Sequence, residues 1–256
     1  FTNKPGYAVT SLWKGVVQKD CSQYRAAEWN GDAVVVFCRA PWMTRENPPA
    51  TKNVWCWHQD NGYGNRWMWG PEVVAMQRHL FVSAFARASL LKDAGVGGGD
   101  TASVNGAILG NGISPTCVPP AYGVKKRPNS VIYASNPSRG LEKLLKAWPR
   151  VLEEVPDAHL TVCCEWRVML LAQQHEPGFP IMAQLRALQE LLANSPSTTN
   201  LGWLPQEKLI KVFQETCVYA YPGYAMPEGF GVSLVQAQAC GCSVVAPPAG
   251  ALPEVL

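Results

Sequence analysis

The chain has 256 residues, of which 47% are hydrophobic and 16% charged, with a formal net charge of +3. Such a chain has room for one large or two modest domains and can bury a core, which excludes a disordered chain. The charge is small and spread out, which argues against a nucleic-acid partner, and no apolar run approaches the ~20 residues of a membrane span.

Residues 1–32 give a weak pattern. Trp13, Val16 and Val17 fit a helix face that Tyr24–Trp29 continue. Ala33–Phe37 is a buried-strand candidate. Arg39–Trp42 and Asn47–Thr51 read as loops. Val54–Trp57 is a second strand, followed by His58-Gln-Asp60 and a glycine-rich loop, Asn61–Asn65. In open α/β sheets ligands gather at the C-terminal ends of strands. His58 and Asp60 stand at such an end, although a His there also serves as a hydrogen-bonded structural residue. Leu80–Val82 is a third strand, and Ser83 is placed to cap a helix that runs to about Ala94 and stops at Gly95. Gly97–Ala102 matches a degenerate Gly-x-Gly-x-x-Ala pattern. No strand precedes it closely, so it reads as a loop. Pro115, Pro119, Pro120 and Gly123 mark a linker.

The second half alternates more cleanly. Ser130–Ala134 is a strand, Ser135–Gly140 a turn, and Leu141–Leu152 a helix with Leu141, Leu144, Leu145, Trp148 and Leu152 on one face. His159–Cys164 is a strand. Trp166–Ala193 is mostly helical, broken at Pro177 and Pro180. Asn200–Pro205 holds a short strand and turn, and Gln206–Glu215 a helix. Val218–Tyr221, Gly231–Ala239 and Ser243–Ala246 read as strand, helix, strand, and Leu252–Leu256 starts another helix. Seven of the ten tryptophans lie between Trp13 and Trp69. The nine cysteines include Cys163-Cys164 and Cys240-Gly-Cys242 but no finger spacing. They suit buried residues of a reducing compartment, and the expected location is cytoplasmic. The chain begins with Phe1, so a targeting segment is not visible in it.

Glu228 is followed by Gly229-Phe230-Gly231 at a helix start. Glycines let a ligand approach the backbone, and a helix N-terminus offers N–H groups and partial positive charge. A phosphate fits there, beside a carboxylate that accepts hydroxyl hydrogen bonds. The same glycines also suit a tight turn with no ligand.

Pro227-Glu-Gly-Phe-Gly231, Ala237-Gln-Ala-Cys-Gly-Cys-Ser-Val-Val-Ala246 and Gly250-Ala-Leu-Pro-Glu254 resemble the donor site of retaining glycosyltransferases of GT-B architecture, family 4 (group 1). Tyr133–Leu145 resembles the family's first donor-domain turn, and Asn200–Pro205 its base-side turn. Phe81–Arg87, Ala107–Ser114 and Trp55–Asp60 resemble segments of its first domain. The resemblance covers roughly residues 33–256. It implies an α/β, GT-B-like fold of two Rossmann-like domains facing a cleft. Residues 1–114 would form an incomplete N-terminal acceptor-side domain, 115–124 a linker, and 125–256 a donor-binding domain lacking its final helices. The family's opening strand and glycine-rich loop are not legible before residue 33, nor is its long closing helix at the other end, so the resemblance implies truncation at both ends.

The implied activity is transfer, with retention, of a hexose-type sugar from a nucleotide-diphosphate sugar to a glycan, lipid or protein acceptor. By the resemblance, Glu228 bonds sugar hydroxyls, Arg139 stabilises the diphosphate, and His58 reaches the sugar. Gly229, Phe230 and Gly231 offer N–H groups, and Ser135 and Gly202 line the nucleotide. The family's second acid is replaced by Gln236, whose amide can still bond a ribose hydroxyl. The upstream Arg of the family is also absent. The implied enzyme needs no cofactor and no metal. Two rivals remain: a non-catalytic GT-B scaffold with weak nucleotide binding, and a nucleotide-sugar epimerase of the same architecture.

Overall fold

The computed structural model describes residues 10–13, 16–19, 28–38, 48–62, 71–95, 104, 106–119, 123–167, 181–223 and 227–256. Several expected features lie outside the described residues: the loop at 39–42, residues 24–27, residues 63–65, the glycine run at 97–102, Pro120, Pro177 and Pro180. The chain divides into two compact units. One holds residues 1–82 and 86–109, the other Ser83–Phe85 and 110–256.

In the first unit, β1 (Thr10–Trp13) and β2 (Val16–Lys19) form an antiparallel hairpin, with Thr10 opposite Lys19 and Trp13 opposite Val16. The helix expected across Trp13, Val16 and Val17 is therefore a pair of strands. The i, i+3, i+4 spacing of these residues fits a helix face, but Trp13 ends one four-residue strand and Val16 opens another, and β-branched valines favour the pleated form.

Four further strands make a parallel sheet in chain order: β3 (Val35–Cys38), β4 (Val54–His58), β5 (Arg78–Phe81) and β6 (Gly106–Ile108). The short α1 (Pro71–Val74) and the longer α2 (Ala84–Asp93) fall in the crossovers. Phe37, Cys56, Val73 and Met76 form one core cluster, and Phe81, Leu90, Leu91 and Val104 another.

The second unit is a five-stranded parallel sheet. Its elements are β7 (Arg127–Tyr133), α3 (Leu141–Glu154), β8 (His159–Val162), α4 (Ile181–Ala193), β9 (Thr198–Asn200), α5 (Gln206–Glu215), β10 (Thr216–Ala220), α6 (Val232–Ala239), β11 (Ser243–Val245) and α7 (Leu252–Val255). Adjacent β7 residues serve opposite faces. Ile132 joins Phe213, Tyr219, Leu234 and Leu252 on one side, while Tyr133 joins Leu141, Leu145, Trp148 and Leu188 on the other. Burial on both faces is what a parallel sheet requires. The turn Pro115–Cys117 packs its Cys117 into the first of these clusters.

Lys126 closes the lower end of this unit. Its ammonium donates to the carbonyls of Thr216 at 2.7 Å, Gln214 at 3.2 Å and Cys240 at 3.3 Å. These oxygens lie at or just beyond the C-terminal ends of α5 and α6, where a cation offsets the helix dipole. Of the eight described cysteines, six are buried, as the composition suggests. Among the described residues no helix is long and apolar enough to cross a membrane.

Candidate active site at the reversal of strand order

The five strands run in space β11-β10-β7-β8-β9. The chain builds outward from β7 through β8 to β9, then returns to the other side of β7 to lay down β10 and β11. The order therefore reverses between β7 and β10, and the loops leaving their C-terminal ends must diverge. A ligand crevice belongs at that point. Arg139 lies in the loop after β7, and Glu228 in the loop after β10.

Each loop is held from beneath. The Tyr133 hydroxyl donates to the Asn136 carbonyl at 2.6 Å, which also accepts from the Arg139 N–H at 2.8 Å. The Asn136 side chain accepts from the Ser138 N–H at 3.0 Å. On the other side, the Glu228 carbonyl accepts from the Ala251 N–H at 2.9 Å.

The two loops also touch through glycines. A Cβ on Gly140 would lie 2.9 Å from the Pro222 carbonyl carbon, and one on Gly223 would lie 2.6 Å from the Arg139 oxygen. Gly250 has φ +64°, and a Cβ there would sit 2.6 Å from the Glu228 oxygen. These approaches need residues without side chains.

The polar groups then converge. Arg139 Nη1 is 3.2 Å from Glu228 Oε1, with the side chains 27% and 20% exposed. The Tyr221 hydroxyl donates to the same Oε1. Burial first, and then its bond to Glu228, push the Tyr221 phenol pKa far up, so it stays protonated.

Helices α3 and α6 start at Gly140 and Gly231, both left-handed, and neither has a side-chain cap. Two helix N-termini and a guanidinium at one crevice suit an anion such as a diphosphate. The carboxylate beside them suits hydroxyl donors.

The other expected residues are distributed around this point. Gly229 is buried and Phe230 half-buried at the entry to α6. The Gly229 carbonyl accepts from the Ser83 hydroxyl at 2.6 Å, and the Glu254 carboxylate takes the Ala84 and Phe85 N–H groups at 2.9 and 2.8 Å. Ser135 is half-buried just past β7, and Gln236 half-buried one turn into α6. Gly202, at φ +63°, follows β9. Since β8 intervenes, β9 runs about 10 Å from β7.

His58 belongs to the first unit. It is 6% exposed at the end of β4, and its Nε2 meets His79 Nδ1 at 3.0 Å.

Sequence reasoning missed Tyr221, Tyr133 and the paired glycines 140 and 223. A tyrosine at a strand's C-terminal end beside Pro-Gly was the available signal for Tyr221. The contact between the two loops left no signal, because it joins distant segments.

Residues 119–256, all within the second unit, match the family model described as glycosyl transferases group 1. D-inositol 3-phosphate glycosyltransferase of Corynebacterium jeikeium is 31% identical over 115 residues, 45% of this chain and 26% of that protein. GDP-mannose-dependent monoacylated alpha-(1-6)-phosphatidylinositol monomannoside mannosyltransferase of Corynebacterium glutamicum is 29% identical over 125 residues, 47% of this chain and 29% of that protein. The chain thus matches about a quarter of the length of these relatives.

Among solved structures, trehalose-6-phosphate synthase OtsA aligns with a TM-score of 0.62 at 12% identity, over 87% of this chain and 59% of that one. Anabaena HepE in complex with UDP and glucose aligns with a TM-score of 0.56 at 16% identity, over 79% and 55%. At such identities the likeness speaks for the fold: α/β with two parallel sheets, resembling GT-B glycosyltransferases. With its family model matched over more than half its length, this chain belongs to the group 1 glycosyl transferases.

Proposed function

We propose that the chain carries the donor site of a retaining glycosyltransferase that moves a hexose-type sugar from a nucleotide-diphosphate sugar to an acceptor. The observation that carries this reading is the Arg139–Glu228 pair at the strand-order reversal, between two uncapped helix N-termini. Departure of the nucleoside diphosphate leaves negative charge, which Arg139 and the N–H groups of Gly229–Gly231 offset. Glu228 accepts hydrogen bonds from sugar hydroxyls and holds the ring while positive charge develops at the anomeric carbon.

Residues 125–256 are assigned to the donor, residues 1–114 to the acceptor side, and 115–124 to their connection. Ser135 and Gly202 line the nucleotide, and Gln236 bonds the ribose. His58 enters this reading by resemblance alone. The name of one relative, the GDP-mannose-dependent mannosyltransferase, supports a nucleotide-sugar donor and leaves this chain's sugar and acceptor open.

A second reading has its own support. Gln236 lacks the charge of the acid expected there, which favours a scaffold that binds nucleotide weakly and does no chemistry. Product mass spectrometry with UDP- and GDP-sugars separates the two, with acceptor or water taking the sugar. Transfer or slow hydrolysis that disappears in a folded Glu228→Ala variant is the expected result. Normal turnover in that variant removes the assigned role of Glu228, and weak or no heat with nucleoside diphosphates together with no transfer or hydrolysis of any sugar favours the scaffold.

A further inference from the structure

The two oxygens of Glu228 are treated differently. Oε1 accepts from the Tyr221 hydroxyl and lies 3.2 Å from Arg139 Nη1 in an ion pair. Among the described residues no donor is bonded to Oε2. A carboxylate has about four lone-pair sites, so the second oxygen keeps its capacity for an incoming group.

The donor from Tyr221 is rigid. Tyr221 is 1% exposed, and its N–H donates to the Val245 carbonyl at 2.8 Å. Its ring stacks on Tyr219 at 6.5 Å and 10°. The Tyr219 hydroxyl is itself fixed, 3.0 Å from both the Ala134 carbonyl and the Ser233 hydroxyl. On another side Gly223 presses so close that a Cβ there would lie 2.9 Å from the Tyr221 Cζ. The phenol therefore has no room to swing away. The Glu228 main chain is pinned from the opposite direction by Gly250 and Ala251. A carboxylate fixed at both ends needs no reorganisation when charge develops beside it.

We propose that Tyr221 is a positioning residue: its hydroxyl anchors Glu228 Oε1 so that Oε2 faces the hydroxyls of the donor sugar. The inference rests on the functional reading above. It separates two parts of the donor. Arg139 and the helix mouths serve the diphosphate, while Tyr221 acts on the sugar through Glu228.

Tyr221→Phe keeps the ring and deletes the hydroxyl. Calorimetry compares UDP with UDP-glucose and GDP with GDP-mannose, for wild type and variant. The variant is expected to bind the nucleoside diphosphate within about 3-fold of wild type and to lose about 10-fold for the nucleotide sugar, the scale of one hydrogen bond. In a Glu228→Ala background the same change is expected to have no further effect. Equal losses for diphosphate and nucleotide sugar, no selective loss, or an undiminished loss in the Glu228→Ala background would overturn the inference and leave the functional reading standing. A wild type that binds none of the four probes overturns both.

If Tyr221→Phe does not fold, Glu228→Gln carries the test. The amide keeps an acceptor for Tyr221 and puts a donor in place of Oε2. Selective loss of the nucleotide sugar is then expected, and wild-type affinity for it overturns the proposal.

Discussion

Two strand ends in this chain carry polar groups and treat them in opposite ways. At the end of β4, His58 is sealed in. Its ring stacks on His79 at 5.3 Å and on Phe81 at 4.9 Å, and its nitrogens meet His79 at 3.0 Å and Cys56 Sγ at 3.7 Å. At the ends of β7 and β10, Arg139 and Glu228 are partnered yet keep a fifth to a quarter of their side chains open. Burial with a like partner drives imidazoles to the neutral form. Arg139 and Glu228 instead set opposite charges against one another at a partly open surface, where a ligand can reach them. A polar residue after a strand thus becomes a candidate site through its surroundings, and the reversal of strand order supplies those surroundings in the second unit.

The comparison is broken most severely by closing the gap behind Glu228. Gly250→Ala places a methyl group against the Glu228 backbone in a conformation that L-residues avoid. A loss of about 2–4 kcal/mol is expected from strain and overpacking, read as a lowered denaturant midpoint of the second unit. A midpoint equal to wild type means that the Glu228 loop is not pinned there.

A smaller effect sharpens the open end. Arg139→Ala is expected to weaken nucleoside-diphosphate binding by about 1.5–3 kcal/mol, the worth of a charged hydrogen bond. An unchanged dissociation constant means that the guanidinium does not reach the diphosphate.

The mildest test sharpens the sealed end. Burial, and then the charge of His79, lower the His58 pKa from 6.5 to about 3, and burial lowers that of His79. Between pH 6.5 and 3 the unfolded imidazoles bind protons that the folded ones refuse, so stability falls as pH falls. The slope is at most about 1.4 kcal/mol per pH unit for each imidazole. The denaturant midpoint of the first unit is expected to drop between pH 7 and 4.5, and less so in His58→Gln. Parallel declines in both proteins contradict a buried neutral pair.

Much of this was legible from residue order, for physical reasons that differ by region. Gln206–Glu215 forms its helix at the expected bounds, because Pro205 stands at its N-cap and the extended Thr216 ends it. β7 starts at Arg127 rather than Ser130, and β10 at Thr216 rather than Val218. The extra residues, Arg127, Pro128, Asn129, Thr216 and Cys217, hold no large apolar side chain, so the hydrophobic pattern carries no signal there. The Trp13–Val17 segment was misread because four-residue strands are too short to show their period. At the site, Glu228 was visible beside the glycines of a local loop-to-helix pattern, and Arg139 through the family resemblance of its turn. Tyr221 and the glycine contacts were hidden because they exist only once separate loops meet.

The central claim is that a diphosphate lodges where β7 and β10 part, against Arg139 and the mouth of α6, with Glu228 beside it. A crystal structure of the chain with UDP or GDP bound tests this directly. The account predicts diphosphate oxygens within hydrogen-bond reach of the Arg139 guanidinium and of N–H groups at Gly229–Gly231. A nucleotide bound elsewhere, or Arg139 and Glu228 turned away from one another and from it, would contradict the account.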